Sequence, residues 1–504
     1  ARGVPVGVTP QLSFTEPVTM VKSNVFLDEV GGATVPLKLI GIGRQGQVIP
    51  DVTDQSEVTA ITVQPLVGLK FLTQYRLRVR PGSTPQPSAT DLVDLDTPAK
   101  TLAQEYAVGF ETFGPTDIEA QSDGKAIAGL AVLGDLVYVA ETHYRGGISP
   151  AYADGWFWKY DLSDPTEPKE TSLAYLQAPP SDLGIEPTRR LVAISMGSRT
   201  APVSHPDGYI EILSSPSNVY LYDVKEGEPE RWVGAVSMTN GLLDGMVQRM
   251  ALKGDKVYTA TWRKGIQIVD VETVMGMFKP LSVDPAGHVA MLREMGLYGH
   301  GWGLENVVTI PVQTLAEPRR TVNLWDIQAA DVNYQGVVQT LLFATGAGTD
   351  GGLVVAHPAT NQVVKQMAAG AITSGYAVEV TTLASKPIAL VAGVGAGGGL
   401  LVVVDLSPLS LNQNPPLNNP VVLSSIVVGG WPTDIVMSGN TAIIAIGGGK
   451  AELVDLTNPA DPRITGELTS GVGTRLALTD SNLLVSTYRT YLGNMNNPLQ
   501  GLHV

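Results

Sequence analysis

The chain has 504 residues, of which 55 are Gly, 35 are Pro and 44% are hydrophobic. So much Gly and Pro argues against a mainly helical protein, and the hydrophobic share argues against a disordered one. The formal net charge of −15, without clustered Lys and Arg, excludes nucleic acid as a partner, and the absence of Cys excludes disulfides and thiolate metal sites.

Residues 1–114 read as strands of a two-sheet sandwich, because apolar residues alternate in "LSFTEPV" (12–18) and "YRLRVR" (75–80). Together with "GVPVGVTPQLSFTEPV" (3–18) and "YAVGFETF" (106–113), these stretches resemble the bacterial Ig-like domain of the S-layer and surface-protein type. The resemblance implies an Ig-like β-sandwich, truncated here because the strand that normally precedes "GVPV" is missing.

The loop "DLVDLD" in this first segment contains three acidic residues, Asp91, Asp94 and Asp96. Carboxylate oxygens are the ligands that Ca²⁺ prefers, but the spacing is not that of an EF-hand. The sequence leaves open whether this loop binds Ca²⁺ or is a solvated turn, and we predict no metal site.

A repeat of about fifty residues runs through the rest of the chain. Its most regular element is an apolar strand that ends in Asp. The copies are "GWFWKYDL" (155–162), "SNVYLYDV" (217–224), "KGIQIVDV" (264–271), "TVNLWDI" (321–327), "GLLVVVDL" (399–406) and "KAELVDL" (450–456), with "GGLVVAHP" (351–358) as a looser relative. A second strand precedes several copies, as in "GDLVYVA" (134–140), and a Pro-rich turn follows, as in "DLSDPTEPKE" (161–170).

One such unit cannot bury its own faces, whereas several units around an axis can, which is the arrangement of a β-propeller. The Asp-ended strand and its Pro-rich turn resemble the LVIVD repeat, a bacterial β-propeller family, over residues 115–504. With "GLHV" (501–504), which aligns with "GIQI" (265–268) and stops short of the expected "VD", the copies of this strand number eight, six of them ending in Asp. We therefore predict an all-β chain with a propeller of seven or eight blades, its last blade cut at the C-terminus.

Propellers commonly complete the last blade with a strand from the start of the domain, which hides two sheet edges at once. We predict that "TDIEAQ" (116–121) pairs in the blade formed by residues 471–504, near "GLHV".

Two glycine-rich loops have the spacing G-x-G-x-x-G of a dinucleotide site, at Gly393, Gly395 and Gly398 and at Gly41, Gly43 and Gly46. That motif binds a phosphate only where it opens a helix, and both loops are followed by strands. We predict turns and no cofactor. The same pairing of strands around a turn explains the uncharged stretch 387–404 better than a membrane span does.

The aligned Asp-ended strands also separate core from surface. The position before the Asp is always apolar or aromatic. The position three before it tolerates charge, and we predict that it faces a gap, a channel or solvent; it holds Trp158, Tyr220, Gln267, Asn323, Val402 and Glu452.

The first repeat contains a cluster of aromatic residues, which are Tyr144, Tyr152, Trp156 and Trp158. Such surfaces suit a sugar ring or a partner protein, although Trp and Tyr also pack between blades. A second candidate is the loop "LYGHGWGLEN" (297–306), with His300 and Trp302 among glycines. We predict Tyr144, Trp156, Trp158, His300 and Trp302 as ligand-binding residues.

Catalysis has little support in the sequence. His300 with Glu305, and Glu141 with His143, are the pairs that acid–base chemistry would use, and no G-x-S-x-G or H-E-x-x-H motif is present. We predict no catalytic residue.

Together these features predict a non-enzymatic scaffold or recognition module of a larger bacterial surface or secreted protein, extracellular and engaged in adhesion or assembly. Its partners would be a protein or glycan on the propeller face and the flanking domains of the same chain. Two alternatives stay open: a hydrolase or lyase with its site at the mouth of the channel, and a shell component of a large toxin-like protein.

Overall fold

The fold was derived from a computed structural model of the chain. The structure describes residues 10–66, 74–80, 93–94, 105–111, 117–118, 125–144, 153–163, 169–176, 179–197, 200–204, 210–214, 217–226, 228, 230–239, 245–275, 303–315, 319–412, 419–447, 450–469, 473–479, 483–487 and 502–503. The chain divides into two compact units, Ala1–Thr116 and Asp117–Val504.

The first unit consists of two antiparallel sheets, with strand orders β5-β4-β6-β1-β8 and β3-β2-β7-β9. Its strands are β1 (Gln11–Thr19), β2 (Val25–Glu29), β3 (Thr34–Val35), β4 (Leu37–Ile42), β5 (Val48–Ile49), β6 (Glu57–Pro65), β7 (Gln74–Val79), β8 (Val93–Asp94) and β9 (Tyr106–Glu111). Both sheets contribute to one core, in which Ile61 and Val63 of β6 lie with Tyr75 and Leu77 of β7. The alternation of apolar residues in these strands therefore places one face of each sheet inside.

The strands of the second unit are β10 (Asp117–Ile118), β11 (Lys125–Leu133), β12 (Leu136–Tyr144), β13 (Ala153–Asp161), β14 (Lys169–Leu176), β15 (Pro180–Glu186), β16 (Leu191–Met196), β17 (Thr200–Ser204), β18 (Ile210–Ser214), β19 (Asn218–Asp223), β20 (Arg231–Ser237), β21 (Val247–Lys253), β22 (Lys256–Thr261), β23 (Gly265–Asp270), β24 (Val308–Ile310), β25 (Leu324–Tyr334), β26 (Val337–Gly346), β27 (Leu353–His357), β28 (Gln362–Met367), β29 (Ile372–Leu383), β30 (Lys386–Gly395), β31 (Gly398–Asp405), β32 (Val421–Val428), β33 (Trp431–Ser438), β34 (Thr441–Gly447), β35 (Lys450–Asp455), β36 (Arg463–Thr469), β37 (Gly473–Leu478), β38 (Leu483–Thr487) and β39 (Leu502–His503). Helix is confined to α1 (Val271–Met275) and short 3₁₀ turns at Lys22–Asn24, Leu304–Asn306, Thr349–Gly351 and Ser407–Ser410 within the described residues. None of these described helices is long and apolar enough to cross a membrane.

These strands form four-stranded antiparallel sheets, which we number 1 to 7 along the chain. Their strand orders are β11-β12-β13-β14, β15-β16-β19-β20, β21-β22-β23-β24, β25-β26-β27-β28, β29-β30-β31-β32, β33-β34-β35-β36 and β37-β38-β39-β10. The hairpin β17–β18 is inserted between the second and third strands of sheet 2.

The first strands of the seven sheets contact one another in a closed ring, in the order β11, β15, β21, β25, β29, β33, β37 and again β11. An apolar cluster fills the space between each pair of neighbouring sheets. Between sheets 4 and 5, for example, Phe343 and Val355 pack against Val391 and Val402. Each sheet therefore buries both faces against its neighbours, which is why the second strands are nearly continuous apolar runs.

The last sheet closes the ring as predicted. Strand β10 pairs antiparallel with β39, with Asp117 opposite His503 and Ile118 opposite Leu502, and β39 pairs in turn with β38. The start and the end of the second unit therefore share one sheet, in which β39 is paired on both sides and β10 is the outermost strand.

The repeat assignment was wrong at one copy. "TVNLWDI" is not a third strand, because Leu324–Tyr334 is the first strand of sheet 4. The third strand there is Leu353–His357, within the looser relative "GGLVVAHP". The count of eight copies therefore included one strand of another kind.

The column three positions before the Asp was also wrongly assigned to a gap, a channel or solvent. Tyr220, Gln267, Val402 and Glu452 are buried. Gln267 donates its amide to the carbonyl of Met238, 2.7 Å away, and Glu452 accepts from the backbone N–H of Gly429 at 3.0 Å. Polar side chains are tolerated at this position because they bind backbone groups at the end of the preceding sheet.

The glycine loop at residues 393–399 is a turn between two strands of one sheet, as predicted. Strands β30 and β31 pair up to Gly395 and Gly398. The φ angle of Gly398 is 115°, a conformation that favours glycine. No helix follows this loop, so the arrangement that would hold a phosphate is absent from residues 386–405.

Candidate functional site at the centre of the ring

Every first strand of the seven sheets has a β-bulge near its beginning. A bulge adds one residue to a strand and re-aims the side chains around it. The residues directly after the bulge occupy equivalent positions around the ring; they are Gly129, Asp182, Arg249, Asp326, Ala377, Asp434 and Arg475. Five of these seven residues are charged, and we call these five the charged layer.

Arg249 crosses the centre of the ring. It belongs to sheet 3, yet its Nη1 lies 3.4 Å from Oδ1 of Asp434, and its Nη2 donates to the carbonyl of Thr433 at 2.8 Å, both in sheet 6. Sheets 3 and 6 are not neighbours, so this side chain spans the axis. The guanidinium and its partner are almost fully buried, which makes the contact part of the interior rather than of the surface.

Arg475 makes a second connection between sheets that do not adjoin. From sheet 7, its Nε donates to the carbonyl of Ala128 at 2.7 Å and its Nη2 to that of Ser181 at 2.9 Å. The same Nη2 lies 3.5 Å from Oδ1 of Asp182 in sheet 2. The two arginines therefore fill the axis at the level of the charged layer.

The three aspartates link neighbouring sheets through the backbone. A first strand has no partner on its inner side, so its N–H groups there require other acceptors. Oδ2 of Asp182 accepts from Met250, Oδ2 of Asp326 from Val378 and Oδ2 of Asp434 from Leu476, at 2.9, 2.8 and 2.8 Å. In each case the acceptor belongs to one sheet and the donor to the next.

Burial dominates the electrostatics of the layer. It raises the pKa of Asp182 to about 6 and that of Asp326 to about 7, although Arg249 acts in the opposite direction on both. Burial also raises the pKa of Asp434. Burial opposes the charge of Arg249, but the aspartates outweigh it and keep its pKa above the ordinary value. Among the described residues Asp326 makes no ion pair, so it is the carboxylate of the layer that lacks a close cation.

A further acid lies two residues beyond the layer in sheet 5. Burial, together with the nearby carboxylates of Asp326 and Asp434, raises the pKa of Glu379 to about 8. Gln328 donates its amide to Oε2 of Glu379 at 3.0 Å. Acids in this axis therefore outnumber the two arginines.

Four aromatic residues form a row on the face of the ring where the first strands begin, which we call the entry face. The aromatic row runs across four neighbouring sheets and consists of Trp262, Trp325, Tyr376 and Trp431. Successive ring centroids are 6.4, 6.0 and 6.0 Å apart, and the rings of Tyr376 and Trp431 are stacked at 20°. Trp325 and Tyr376 are themselves bulge residues, so the row lies directly beside the charged layer.

The two ends of the aromatic row differ. Trp431 is 63% exposed, whereas the other three rings are half-buried. At the opposite end the guanidinium carbon of Arg263 lies 4.8 Å from the centre of the Trp262 ring, in the turn between β22 and β23. The indole N–H groups of Trp262 and Trp325 are buried without a hydrogen-bond partner in the described structure. The row thus combines an exposed ring with donors that lack an acceptor.

The connections on the entry face are unequal. Second and third strands are joined by residues 262–264, 347–352, 396–397 and 448–449 in sheets 3 to 6, which carry the aromatic row. In sheets 1, 2 and 7 the corresponding connections are residues 145–152, 197–217 and 488–501. The long connections therefore belong to three neighbouring sheets beside those that carry the row.

Of the aromatic residues predicted from the sequence, Tyr144, Trp156 and Trp158 belong to strands of sheet 1, apart from this row. Trp156 and Trp158 lie on the same side of β13, with ring centroids 5.6 Å apart. The indole of Trp158 donates to Oε2 of Glu141 at 2.9 Å and packs against the cluster between sheets 7 and 1, while Trp156 meets Tyr175 edge-on. These contacts suit packing between sheets, and ligand binding by Trp156 and Trp158 stays a prediction.

Most of the other candidates lie outside the described residues. This applies to Tyr152, His300, Trp302, Asp91 and Asp96, and to the side chains of Tyr144, His143 and Asp94. Glu305 is exposed in a 3₁₀ turn, where Asn306 donates to it at 3.3 Å. Within the described part of the chain, no three His, Asp or Glu side chains are grouped to hold a metal ion.

The sequence does contain a signal for the site at the centre of the ring. The first strands align as "SDLGIE" (181–186), "WDIQ" (325–328), "TDIVMS" (433–438) and "TRLALT" (474–479), each with a charged residue followed by an apolar one. This charged position does not appear when only the second and third strands are aligned.

Comparison with known proteins agrees with this architecture. Residues 244–272 and 429–469 match the LVIVD repeat. The first segment contains β21 to β23 of sheet 3, and the second is the whole of sheet 6. No curated protein matches the chain.

Several solved structures are similar at low identity. The WD40 β-propeller domain of Doa1 is 10% identical, covers 74% of this chain and 93% of its own length, and has a TM-score of 0.44. Sqt1 of Saccharomyces cerevisiae is 9% identical, with 74% and 94% covered and a TM-score of 0.41. A Bacteroides thetaiotaomicron protein of unknown function is 10% identical, with 88% and 97% covered and a TM-score of 0.34. The closed ring of four-stranded sheets and the LVIVD match identify the second unit as a repeat β-propeller.

Proposed function

We propose that this protein is a non-enzymatic recognition scaffold that binds a partner protein at the entry face of a seven-bladed propeller. The seven sheets are taken as the seven blades, and the two sheets of the first unit as an Ig-like sandwich that serves as a spacer. The setting is a bacterial surface or secreted protein, in which the pair of domains contributes to adhesion or assembly.

The observation that carries this proposal is the aromatic row with its exposed end. Large exposed aromatic rings are enriched at protein interfaces, where they supply contact area at low entropic cost. Trp431 is 63% exposed and is held by its stack on Tyr376, so its orientation is set before a partner arrives. The arginines of the charged layer occupy the axis beneath it, which favours a partner that docks on the face over one that threads the ring.

Partner capture tests the proposal. A surface or secreted protein fraction is passed over the immobilised chain, and the recovery of each bound protein is compared between wild type and Trp431→Ala. The matched control is Val338→Ala, because Val338 is 70% exposed at the start of β26, beside the hairpin turn on the opposite face. We expect recovery to fall about tenfold or more for Trp431→Ala and to be unchanged for Val338→Ala.

Equal recovery with both variants would contradict binding at the entry face. Turnover of a glycoside or ester by the purified chain, abolished by His300→Ala, would instead favour the hydrolase alternative.

A further inference from the structure

The aromatic row already holds one cation. The guanidinium of Arg263 lies over the ring of Trp262 at 4.8 Å, within the range of a cation–π interaction. At the other end, no Arg or Lys of the described residues lies over Trp431. Lys450 begins the third strand of the same sheet as Trp431. Its ammonium forms ion pairs with Glu452 at 2.7 Å and with Glu467 at 2.9 Å. The exposed ring therefore offers a second, similar surface that the chain's own cations do not cover.

The charges beneath the row favour a cation as well. The charged layer has three aspartates against two arginines. Both arginines already donate hydrogen bonds to oxygen atoms of the chain, which leaves them less able to repel a bound cation. Burial raises the pKa of Asp326, and a cation bound nearby would favour its ionised form. The whole chain carries a net charge of −15, which attracts basic partners over longer distances.

Sugars and neutral peptides also stack on indole rings, but neither would gain from an excess of acids. An anionic ligand would be repelled by it. A basic side chain gains from the indole ring and from the acids, because Arg and Lys combine an apolar stem with a charged end.

We propose that Trp431 and Tyr376 form a binding site for a basic side chain, Arg or Lys, of the partner protein. This inference rests on the proposed function and specifies its chemistry. The stem of the side chain packs on Trp431, the charge lies against the indole face, and the carboxylates of the charged layer supply the electrostatic attraction.

A small probe measures the site without knowledge of the partner. The chain is labelled with 5-fluorotryptophan, which gives one fluorine resonance for each of its seven tryptophans, and that of Trp431 is assigned by its loss in Trp431→Phe. The labelled protein is titrated with N-acetyl-arginine amide and, separately, with N-acetyl-citrulline amide, which has nearly the same shape without the charge. We expect a saturable shift at Trp431 with the arginine compound and an affinity about tenfold lower for the citrulline compound.

Two further comparisons locate the effect. Val338→Ala should leave the arginine affinity unchanged. Higher ionic strength should weaken arginine binding, because the attraction is electrostatic. Trp431→Ala should fold normally, since the side chain is mostly exposed, and should lose the arginine response at the remaining tryptophans of the row.

The outcomes separate this inference from the proposed function. Equal responses to arginine and citrulline, or no saturable shift at Trp431, would refute the site for a basic side chain. If partner capture still depended on Trp431, recognition at the entry face would stand with another chemistry. If capture did not depend on Trp431, both proposals would fail.

Discussion

Glu379 occupies the axis of the propeller, near the carboxylates of Asp326 and Asp434, and its burial disfavours the ionised form. Its pKa is raised from an ordinary value of 4.5 to about 8. The folded state therefore binds a proton that the unfolded state releases between these two pH values. The stabilisation that results is complete below about pH 4.5 and is lost as the pH rises through 8.

Glu379→Gln should remove this pH dependence, because the amide keeps the shape of the side chain and has no charge to bury. We expect the variant and wild type to be similarly stable at pH 5, and the variant to be more stable at pH 9 by on the order of 2–4 kcal/mol. Urea unfolding at a series of pH values measures the difference. Glu305→Gln, at an exposed position, is the control and should leave the slope unchanged. Parallel curves for wild type and Glu379→Gln would show that this carboxyl is ionised in the folded state.

The residues of the candidate site were predictable only in part. The sequence identified aromatic side chains in the third strand of sheet 1, and the structure places Trp158 in contact with Glu141 and with the space between sheets. It did not identify Trp431 or Arg249, because these residues acquire a role only where separate sheets meet. The one-residue bulge before Arg249 also shifts the alternation by which a strand shows its buried face.

At the scale of the secondary-structure elements, a glycine near the end of β30 accommodates the bulge of the neighbouring strand β29. A Cβ at Gly393 would lie 2.2 Å from the carbonyl oxygen of Ser374, directly beside the bulge that presents Tyr376. Gly393 therefore allows the close backbone approach that brings Tyr376 into the aromatic row. A Cβ at Gly397, in the turn that follows β30, would meet nothing within 4 Å.

These two positions give a matched pair of substitutions. Gly393→Ala should destabilise the fold by about 2 kcal/mol or more, because the backbone oxygen it meets cannot move freely. Gly397→Ala should change the stability by less than about 1 kcal/mol. Denaturant unfolding compares the two variants. Equal effects would mean that the glycines are needed for something other than this close approach.

The repeat was assigned wrongly where a first strand and a third strand have similar sequences. "TVNLWDI" has the apolar run and the Asp of a third strand, but it begins the first strand of sheet 4, which extends to Tyr334. Its Asp326 lies in the axis and accepts from Val378, whereas the Asp405 that ends a true third strand accepts from Ser407 in the following turn. An Asp therefore marks the end of a third strand at one position and links two neighbouring sheets at the other. The fourth, outermost strands follow the Pro-rich turns and vary too much in sequence to be found by repetition.

At the scale of the whole propeller, the pairing of β10 with β39 joins residues from the two ends of the second unit. Directly opposite Cα atoms in an antiparallel pair are about 4.5–5.5 Å apart, which suits a disulfide. Because the chain has no Cys, a pair introduced here would form without competitors.

Asp117→Cys with His503→Cys should form a disulfide under oxidising conditions and raise the unfolding temperature by several degrees, since it closes a very long loop. The gain should disappear on reduction. Ile118→Cys with His503→Cys is offset by one residue and should form the bond less readily, because the side chains lie on opposite faces of the sheet. If both pairs formed equally, the register between β10 and β39 would be wrong. Thermal unfolding with and without reductant provides the measurement.

The sequence by itself determined the class of the fold, the repeat and the closing pair of strands. These follow from local properties: the alternation or run of apolar residues, the glycine and proline turns, and the need of an edge strand for a partner. The tertiary structure decided the rest. Asp182, Arg249, Asp326, Asp434 and Arg475 come from five different sheets, and Trp262 and Trp431 are joined only through two rings between them. Their common position depends on how many sheets close the ring and where each bulge falls, and neither quantity is encoded within a single repeat.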